Sequence, residues 1–544
     1  KTKQNFTPLL WTKNIPFAGG YTSDLEHGLN AATYGLDSAE ILVKAIVPYA
    51  DLLGLKGSGT FAGGTAEDRI AKAVETLSKV TPQIDEVAVK FSLLKKEVDA
   101  IDPSRYPETF SGRPIRSQVV QGKQLLVLVD DLLTNARPLV KKLPDLMGGG
   151  GEAKYMILFQ NDKELRPTGG FITAYAVFRL EKGRIKLEAA DDIYKLDDTI
   201  TKKVTPPEPI SKHLNVNVWR IRDSNFSPDF PTSMKVFSDL YESSKDKKKI
   251  DGIIALDTQV LVDLMNVIGP INAYGMTFTT NKVPQCDCPM VVYELLKAAG
   301  TPRGYLVDNR KDIIGVLMSE LLKKTLSAPK QIIGNLAPVM VNAISQKHLL
   351  VYLHDPDAQS GVEAIGASGS IKPTPVGMDY LHINDANLGG AKTNLYIKEK
   401  VTLNVETSKD GTTNNLVLEY QHPHAADNCS LERKEGLCLS GTYRDYVRLY
   451  LPAGSKLVDS RGFEIRSTVF DGLGHTVIDG FFTVTPLGVV RLQVKYTTPV
   501  KFDSGYKIFL QKQPGTVGNH YKITLNGGET KELDLTQDTE VDFN

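Results

Sequence analysis

Cysteine, tryptophan, charge imbalance and long apolar runs are all scarce in this chain, and each scarcity excludes something. Four cysteines in 544 residues are too few for a disulfide-built scaffold. Lys plus Arg number 64 and Asp plus Glu number 64, so no global basic field exists to hold a phosphate backbone, and nucleic acid is not an expected partner. No uninterrupted apolar stretch reaches the roughly 18 residues that a membrane-spanning helix needs. The common catalytic signatures are missing too. The nine histidines form no His-Glu-x-x-His pair, and no Gly-x-Ser-x-Gly elbow occurs.

What is present is an ordinary globular balance, 41% hydrophobic and 24% charged, in a chain too long for one core. The chain opens at Lys1 instead of Met, which leads us to expect a removed N-terminal segment and, with it, a membrane anchor. The cysteines fall in two pairs. Cys429 and Cys438 flank a polar loop and are expected to bridge a hairpin, whereas a bridge between Cys286 and Cys288, two residues apart, is expected to be strained. A zinc site recruiting His422 and His424 to Cys429 and Cys438 matches no common ligand spacing.

Four regions follow from the hydrophobic period. Residues 1–20 read as an irregular arm. In 21–150, Leu25, Leu29, Ala32, Leu36, Ala39, Val43 and Ile46 recur at alternating steps of four and three, and Leu77, Val80, Ile84, Val87, Phe91, Leu94, Val98 and Ile101 repeat the pattern. A third helical stretch runs from Val119 to Leu146, so an antiparallel helical bundle is expected. Residues 151–393 alternate strand-like runs such as Tyr155–Phe159 with helical ones, including Tyr380–Ile383 as a strand, which argues for an α/β layered domain. From 394 to 544, seven short alternating runs predict an immunoglobulin-like β-sandwich.

Two polar clusters interrupt these patterns. Gln160-Asn-Asp-Lys-Glu-Leu-Arg-Pro-Thr-Gly-Gly170 follows the first buried strand, at the end where open α/β sheets hold ligands. Arg220-Ile-Arg-Asp-Ser-Asn-Phe-Ser-Pro-Asp-Phe-Pro231 again mixes guanidinium and carboxylate groups. Asn161, Asp162, Glu164, Arg166, Arg220 and Arg222 are the candidate ligand contacts, since an arginine fork matches phosphate or carboxylate bidentately. The alternative is an internal ion-pair network using Asp162, Glu164, Asp223 and Asp229. Gly389-Gly-Ala-Lys-Thr393 lacks the glycines of a phosphate loop, and Gly57-Ser-Gly-Thr-Phe-Ala62 follows a helix instead of a strand; neither is assigned a nucleotide.

The segments LFQNDKELRPTGGFI, RDSNFSPDFPTS, IDGIIALD with IGPI, and DYLHINDANLGGAKTN resemble the bacterial family known as domain of unknown function 4012, over roughly residues 20–400. That resemblance implies an extracytoplasmic, envelope-associated protein with an N-terminal membrane helix. More distantly, the α/β segment is similar to LytR-CpsA-Psr phosphotransferases, which move a glycan phosphate from a polyprenyl pyrophosphate carrier to peptidoglycan. This similarity implies a catalytic set of Arg166, Arg222 and Asp223, with Mg²⁺ on Asp162 and a second carboxylate, Asp191 or its neighbour Asp192. The chain departs from that pattern where it reads Thr168-Gly-Gly-Phe171 in place of an Asp-Thr pair. The other expected role is a non-catalytic surface scaffold that assembles through its helical and β-sandwich domains.

Overall fold

The computed structural model describes residues 7–15, 19–47, 66–109, 115–116, 118–120, 123, 126, 134–273, 275–300, 312–328, 330–427, 438–502 and 505–543. The chain forms two compact units. One comprises residues 1–153, 180–185 and 354–365, and the other comprises the remainder.

In the first unit, α1 (Gly19–Ile46) and α2 (Ala66–Asp99) run antiparallel. His27 Nδ1 lies 2.6 Å from Glu97, Lys90 lies 3.1 Å from Asp37, and Arg105, just past α2, donates to the buried Asp24 at 2.6 Å. The face that α1 buries is small and polar: Asp24, Ala31 and Ser38 lie inside at seven-residue intervals. Gly35 permits this approach, because a Cβ there would meet Leu94 Cδ1 at 3.1 Å. The stripe expected to be core is turned outward, with Leu25, Leu36 and Val43 exposed by 52%, 72% and 57%. Each stripe residue lies one position beyond the buried seam, hence about 100° round the axis. The stripe of α2 does turn inward, with Val87 buried and Phe91, Leu94 and Val98 half-buried. The third helix, α3 (Arg137–Leu146), ties to α2 through Arg137 and Lys141, both on Asp85 at 2.6 and 3.0 Å. The stretch leading into it from Val119 lies largely outside the described residues.

The second unit opens with a five-stranded sheet in the order β3-β2-β1-β4-β5, from β1 (Glu152–Asn161), β2 (Phe171–Glu181), β3 (Arg184–Asp192), β4 (Gly252–Asp257) and β5 (Leu349–Leu353). β1 and β4 pair in parallel, from Tyr155 opposite Gly252 to Gln160 opposite Asp257. Side chains alternate between faces along a strand. Ile253 and Ala255 therefore join Met156, Leu158 and the Phe230, Met234 and Phe237 side chains of α4 (Phe230–Tyr241) in one core. Ile254 and Leu256 pack on the other side with Val260 of α5 (Thr258–Ile268). That opposite layer continues through α6 (Met290–Gly300), α7 (Asp312–Leu326) and α8 (Lys330–Ser345). The central α/β layer is thus covered on both faces by helices.

Apart from two short hairpins, Ile271–Ala273 with Met276–Phe278 and Lys282–Val283 with Cys288–Pro289, twelve further strands build two six-stranded sheets. In chain order they are β6 (Asp379–Asn384), β7 (Lys398–Ser408), β8 (Gly411–Gln421), β9 (Tyr443–Leu451), β10 (Lys456–Arg461), β11 (Val469–Gly472), β12 (His475–Val484), β13 (Val489–Thr498), β14 (Tyr506–Leu510), β15 (Asn519–Leu525), β16 (Thr530–Leu535) and β17 (Thr539–Phe543). One sheet is ordered β11-β12-β9-β6-β14-β17 and the other β10-β13-β8-β7-β15-β16. Leu403, Leu418, Leu449, Phe482, Tyr496 and Ile508 fill one shared core. Two features depart from the sequence reading. The sheets are mixed, because β6 pairs in parallel with β14 and β7 with β15, unlike the antiparallel immunoglobulin sheets. And β6, assigned above to the α/β layer, sits in the middle of a sandwich sheet.

Cys286 and Cys288, whose pairing the sequence left open, are bonded to each other at a Cα separation of 5.1 Å. Their Cα atoms sit within ordinary bridging distance because Asp287 between them takes a left-handed φ of 50°. Cys438 is disulfide-bonded, while Cys429 lies outside the described residues.

Asp379 of β6 is buried in the sandwich and accepts from the Tyr380 backbone N–H at 2.8 Å and the Tyr506 hydroxyl at 3.1 Å. Burial outweighs those bonds and pushes its carboxyl up from 3.8 to about 6. A raised native value means stability that is complete below the unfolded value and lost as pH rises through the folded one. Unfolding free energy, measured by denaturant titration, is therefore expected to fall by about 2 kcal/mol more between pH 4 and 6 in the wild type than in Asp379→Asn.

Candidate functional site

The two polar clusters meet. Gln160, at the end of β1, turns its Oε1 to the Gly170 N–H at 2.8 Å and closes the 162–170 loop on itself. Asn225 of the second cluster reaches across to the same loop, donating to Thr168 Oγ1 at 3.0 Å and to Gly170 O at 2.9 Å. Gly170 is required here, since a Cβ would stand 2.3 Å from the Asn161 carbonyl carbon.

Beside this knot lies a cleft of about 270 Å³. The 162–170 loop contributes Glu164 and Arg166, and β3 contributes Asp192, which also caps the short helix Ile193–Thr199 by accepting from the Tyr194 N–H at 3.1 Å. The turn Ile221–Asp223 contributes Arg222 and Asp223, and the segment after β6 contributes Gly390 and Lys392. Lining cations (Arg166, Arg222, Lys392) and lining carboxylates (Glu164, Asp192, Asp223) are three each, so the cleft is neutral when all are ionised.

The two arginines differ in what they have left to offer. Arg166 is 4% exposed. It donates to the Asn387 and Leu165 carbonyls and to Glu164, with Asp223 at 3.9 Å and the Phe171 ring below. Its donors hold the 162–170 loop to the segment after β6. Arg222, 21% exposed in its side chain, pairs with Asp197, lies 3.7 Å from Asp223 and stacks 4.5 Å over Tyr194. Burial pushes both Asp223 and Asp197 up, against the pull of the arginines. Asp223, between the two guanidinium groups, thus takes a proton more readily than an ordinary aspartate.

Asn161 and Asp162 lie outside this lining, and Arg220 is exposed away from it. Lys392 lies 3.2 Å from Glu164, a role that the comparison of Gly389–Thr393 with a phosphate loop does not reveal. A lysine two residues after a glycine pair is the signal that the sequence offers.

The donors do not fit Mg²⁺. Asp162 turns one oxygen to the Thr258 hydroxyl and the other to the Lys163 ammonium at 2.6 Å, so a cation already stands where a metal would. Burial opposes its charge, but Lys163 and Thr258 prevail and hold the carboxyl below its ordinary value. Asp191 is engaged with Lys195 at 3.0 Å. Among the described residues no three His, Cys, Asp or Glu side chains are grouped to hold a metal. Burial pushes the buried carboxyls of Asp385, Glu399 and Asp445 upward, and repulsion from neighbouring carboxylates adds to it at Glu399 and Asp445.

The fold and cleft define a multidomain protein with a charged pocket at the strand ends of an α/β layer. Residues 150–286 match the model of the family described as protein of unknown function (DUF4012), so the family resemblance read from the motifs holds over that stretch. No curated protein matches. Among solved structures, the chain is similar to the Lin1025 protein from Listeria innocua, at 12% identity and a TM-score of 0.20 over 40% of this chain and 78% of that one. It is also similar to protein gbs0355 from Streptococcus agalactiae, at 12% identity and a TM-score of 0.24 over 40% and 74%.

Removing a buried cation leaves its carboxylates uncompensated. Arg166→Ala, followed by urea unfolding, is expected to lose about 3–5 kcal/mol of stability, whereas Arg222→Ala, nearer to solvent, loses less.

Proposed function

We propose that this is an extracytoplasmic cell-envelope protein whose α/β domain binds the phosphate of a polyprenyl-phosphate-linked glycan, the donor of a transfer to peptidoglycan. A single observation carries the reading: Arg222 and Lys392 line one cleft at the strand ends with a proton-accepting acid, Asp223, beside them. With Asp223 ionised the cleft is neutral and an anion competes with internal carboxylates. With Asp223 protonated, the lining carries one net positive charge, and the acid becomes a hydrogen-bond donor. Attachment to the membrane through an N-terminal anchor, and the transfer itself, belong to the same proposal; no metal is assigned a part in it. Isothermal titration with a short-chain prenyl phosphate is expected to show binding that tightens as pH falls through the raised Asp223 value. Arg222→Ala and Lys392→Ala should each weaken binding by about tenfold, and Asp223→Asn should hold the tight limit at all pH values. Binding indifferent to all three substitutions would remove the proposal.

The outward stripe of α1 favours a second reading, a scaffold that assembles through its helices. A row of exposed Leu and Val at heptad spacing is the pattern of a coiled-coil seam. Light scattering on the full chain is expected to show concentration-dependent association that Leu36→Glu abolishes; a monomer at all concentrations would exclude this role.

A further inference from the structure

A lysine closes the turn that ends α8, where glycine is usual. The Lys347 N–H reaches the Ile344 carbonyl at 3.0 Å and the His348 N–H reaches the Ala343 carbonyl at 2.8 Å, which puts Lys347 in the left-handed position, at a φ of 59°. Its side chain is buried, and Nζ donates to Asp538 Oδ1 at 2.6 Å and to the Lys512 carbonyl at 3.0 Å. Asp538, in the turn between β16 and β17, divides its two oxygens. Oδ1 also accepts the Lys512 backbone N–H at 2.9 Å, while Oδ2 faces the Lys372 ammonium at 3.1 Å. The Lys512 side chain is buried as well, donating to the Gln346 and Gln513 carbonyls at 2.8 and 3.0 Å. Three amines thus gather about one carboxylate. Burial pushes Lys347 down against the pull of Asp538, and burial with the nearby Lys347 charge pushes Lys512 down to about 7. An amine that gives up its proton easily is a nucleophile.

We propose that Lys347 and Asp538 condense to an intramolecular amide, a covalent bridge between the turn that enters β5 and the turn that enters β17. The bond from Lys347 Nζ to Asp538 Cγ forms, and the bond from Cγ to Oδ2 breaks. The Lys512 N–H stands at Oδ1, where negative charge gathers as Nζ attacks. Nζ gives up two protons in all, and both leave with Oδ2 as water. The Lys372 ammonium hands one of them to Oδ2 and is recharged from Nζ. Ammonium and carboxylate become amide and water, so the step consumes no oxidant, cofactor or net proton. Two effects favour it. The reacting groups are held in contact instead of meeting by diffusion, and the product is neutral where the pair kept two charges largely out of water. The bridge does not depend on any ligand of the cleft; it joins the α/β layer to the sandwich covalently.

The test is intact-mass spectrometry of the purified full chain, denatured for the measurement. The wild type is expected about 18 Da, one water, below the mass of the chain with its cysteines oxidised. Tandem spectra of a digest should join the peptide holding Lys347 to the peptide holding Asp538. Lys347→Arg keeps the charge and Asp538→Ala removes the carboxyl, and each should restore the full mass. Lys372→Met leaves the bonding pair in place; sampled against time after cell-free synthesis, it should close more slowly than the wild type by at least about tenfold. A wild-type chain at full mass would overturn the bridge, and that reading stands even where a variant fails to fold. Water loss that persists in Lys347→Arg and Asp538→Ala would overturn the assignment to this pair. Closure at an unchanged rate in Lys372→Met would overturn the part given to Lys372.

Discussion

One buried cation organises the second unit. Arg166 spends its donors on the Asn387 carbonyl, the Leu165 carbonyl and Glu164, with Asp223 just beyond. Three segments far apart in sequence thereby converge: the loop after β1, the turn at Ile221–Asp223 and the stretch that follows β6. A guanidinium removed from water must have every donor used and its charge matched. Satisfying that requirement shapes the cleft, which is the space left beside the knot. Arg222 and Lys392 then occupy its wall with part of their side chains open to a ligand. The division between an arginine that builds and one that faces outward is a consequence of depth, because both carry the same group.

Much of this was legible in the order of residue types. Strand-helix alternation from Tyr155 onward announced the α/β layer, and the crowding of polar groups after Phe159 marked the strand end where the cleft lies. Pairing was harder. Tyr380–Ile383 reads as a strand in any local window, but its partners are β9 and β14, more than sixty residues away, and no local period records them. Lys392 escaped for the opposite reason. A motif test asks whether a known loop is complete, whereas this lysine works alone beside Glu164.

Helix α1 shows the limit of amphipathic reading most clearly. Periodicity tells which residues share a face; it does not say which face is covered. Asp24, Gly28, Ala31, Gly35 and Ser38 recur at the same alternating steps as the leucine stripe. The small seam wins the contact with α2 because it lets the helices approach closely and brings Asp24, His27 and Asp37 to Arg105, Glu97 and Lys90. Ion pairing and close approach together outweighed the burial of leucine.

The placement of β6 has a further consequence for how the chain can be divided. It is the fourth strand of its sheet, gripped on one edge by β9 and on the other by β14, and only the short run Asp385–Ile397 separates it from β7. That same run supplies Lys392 and the carbonyl that anchors Arg166. A piece ended at residue 393 would carry a β-strand stripped of both neighbours and a guanidinium tethered to a loose tail. The sandwich is therefore no detachable appendage but the foundation on which one wall of the cleft is raised.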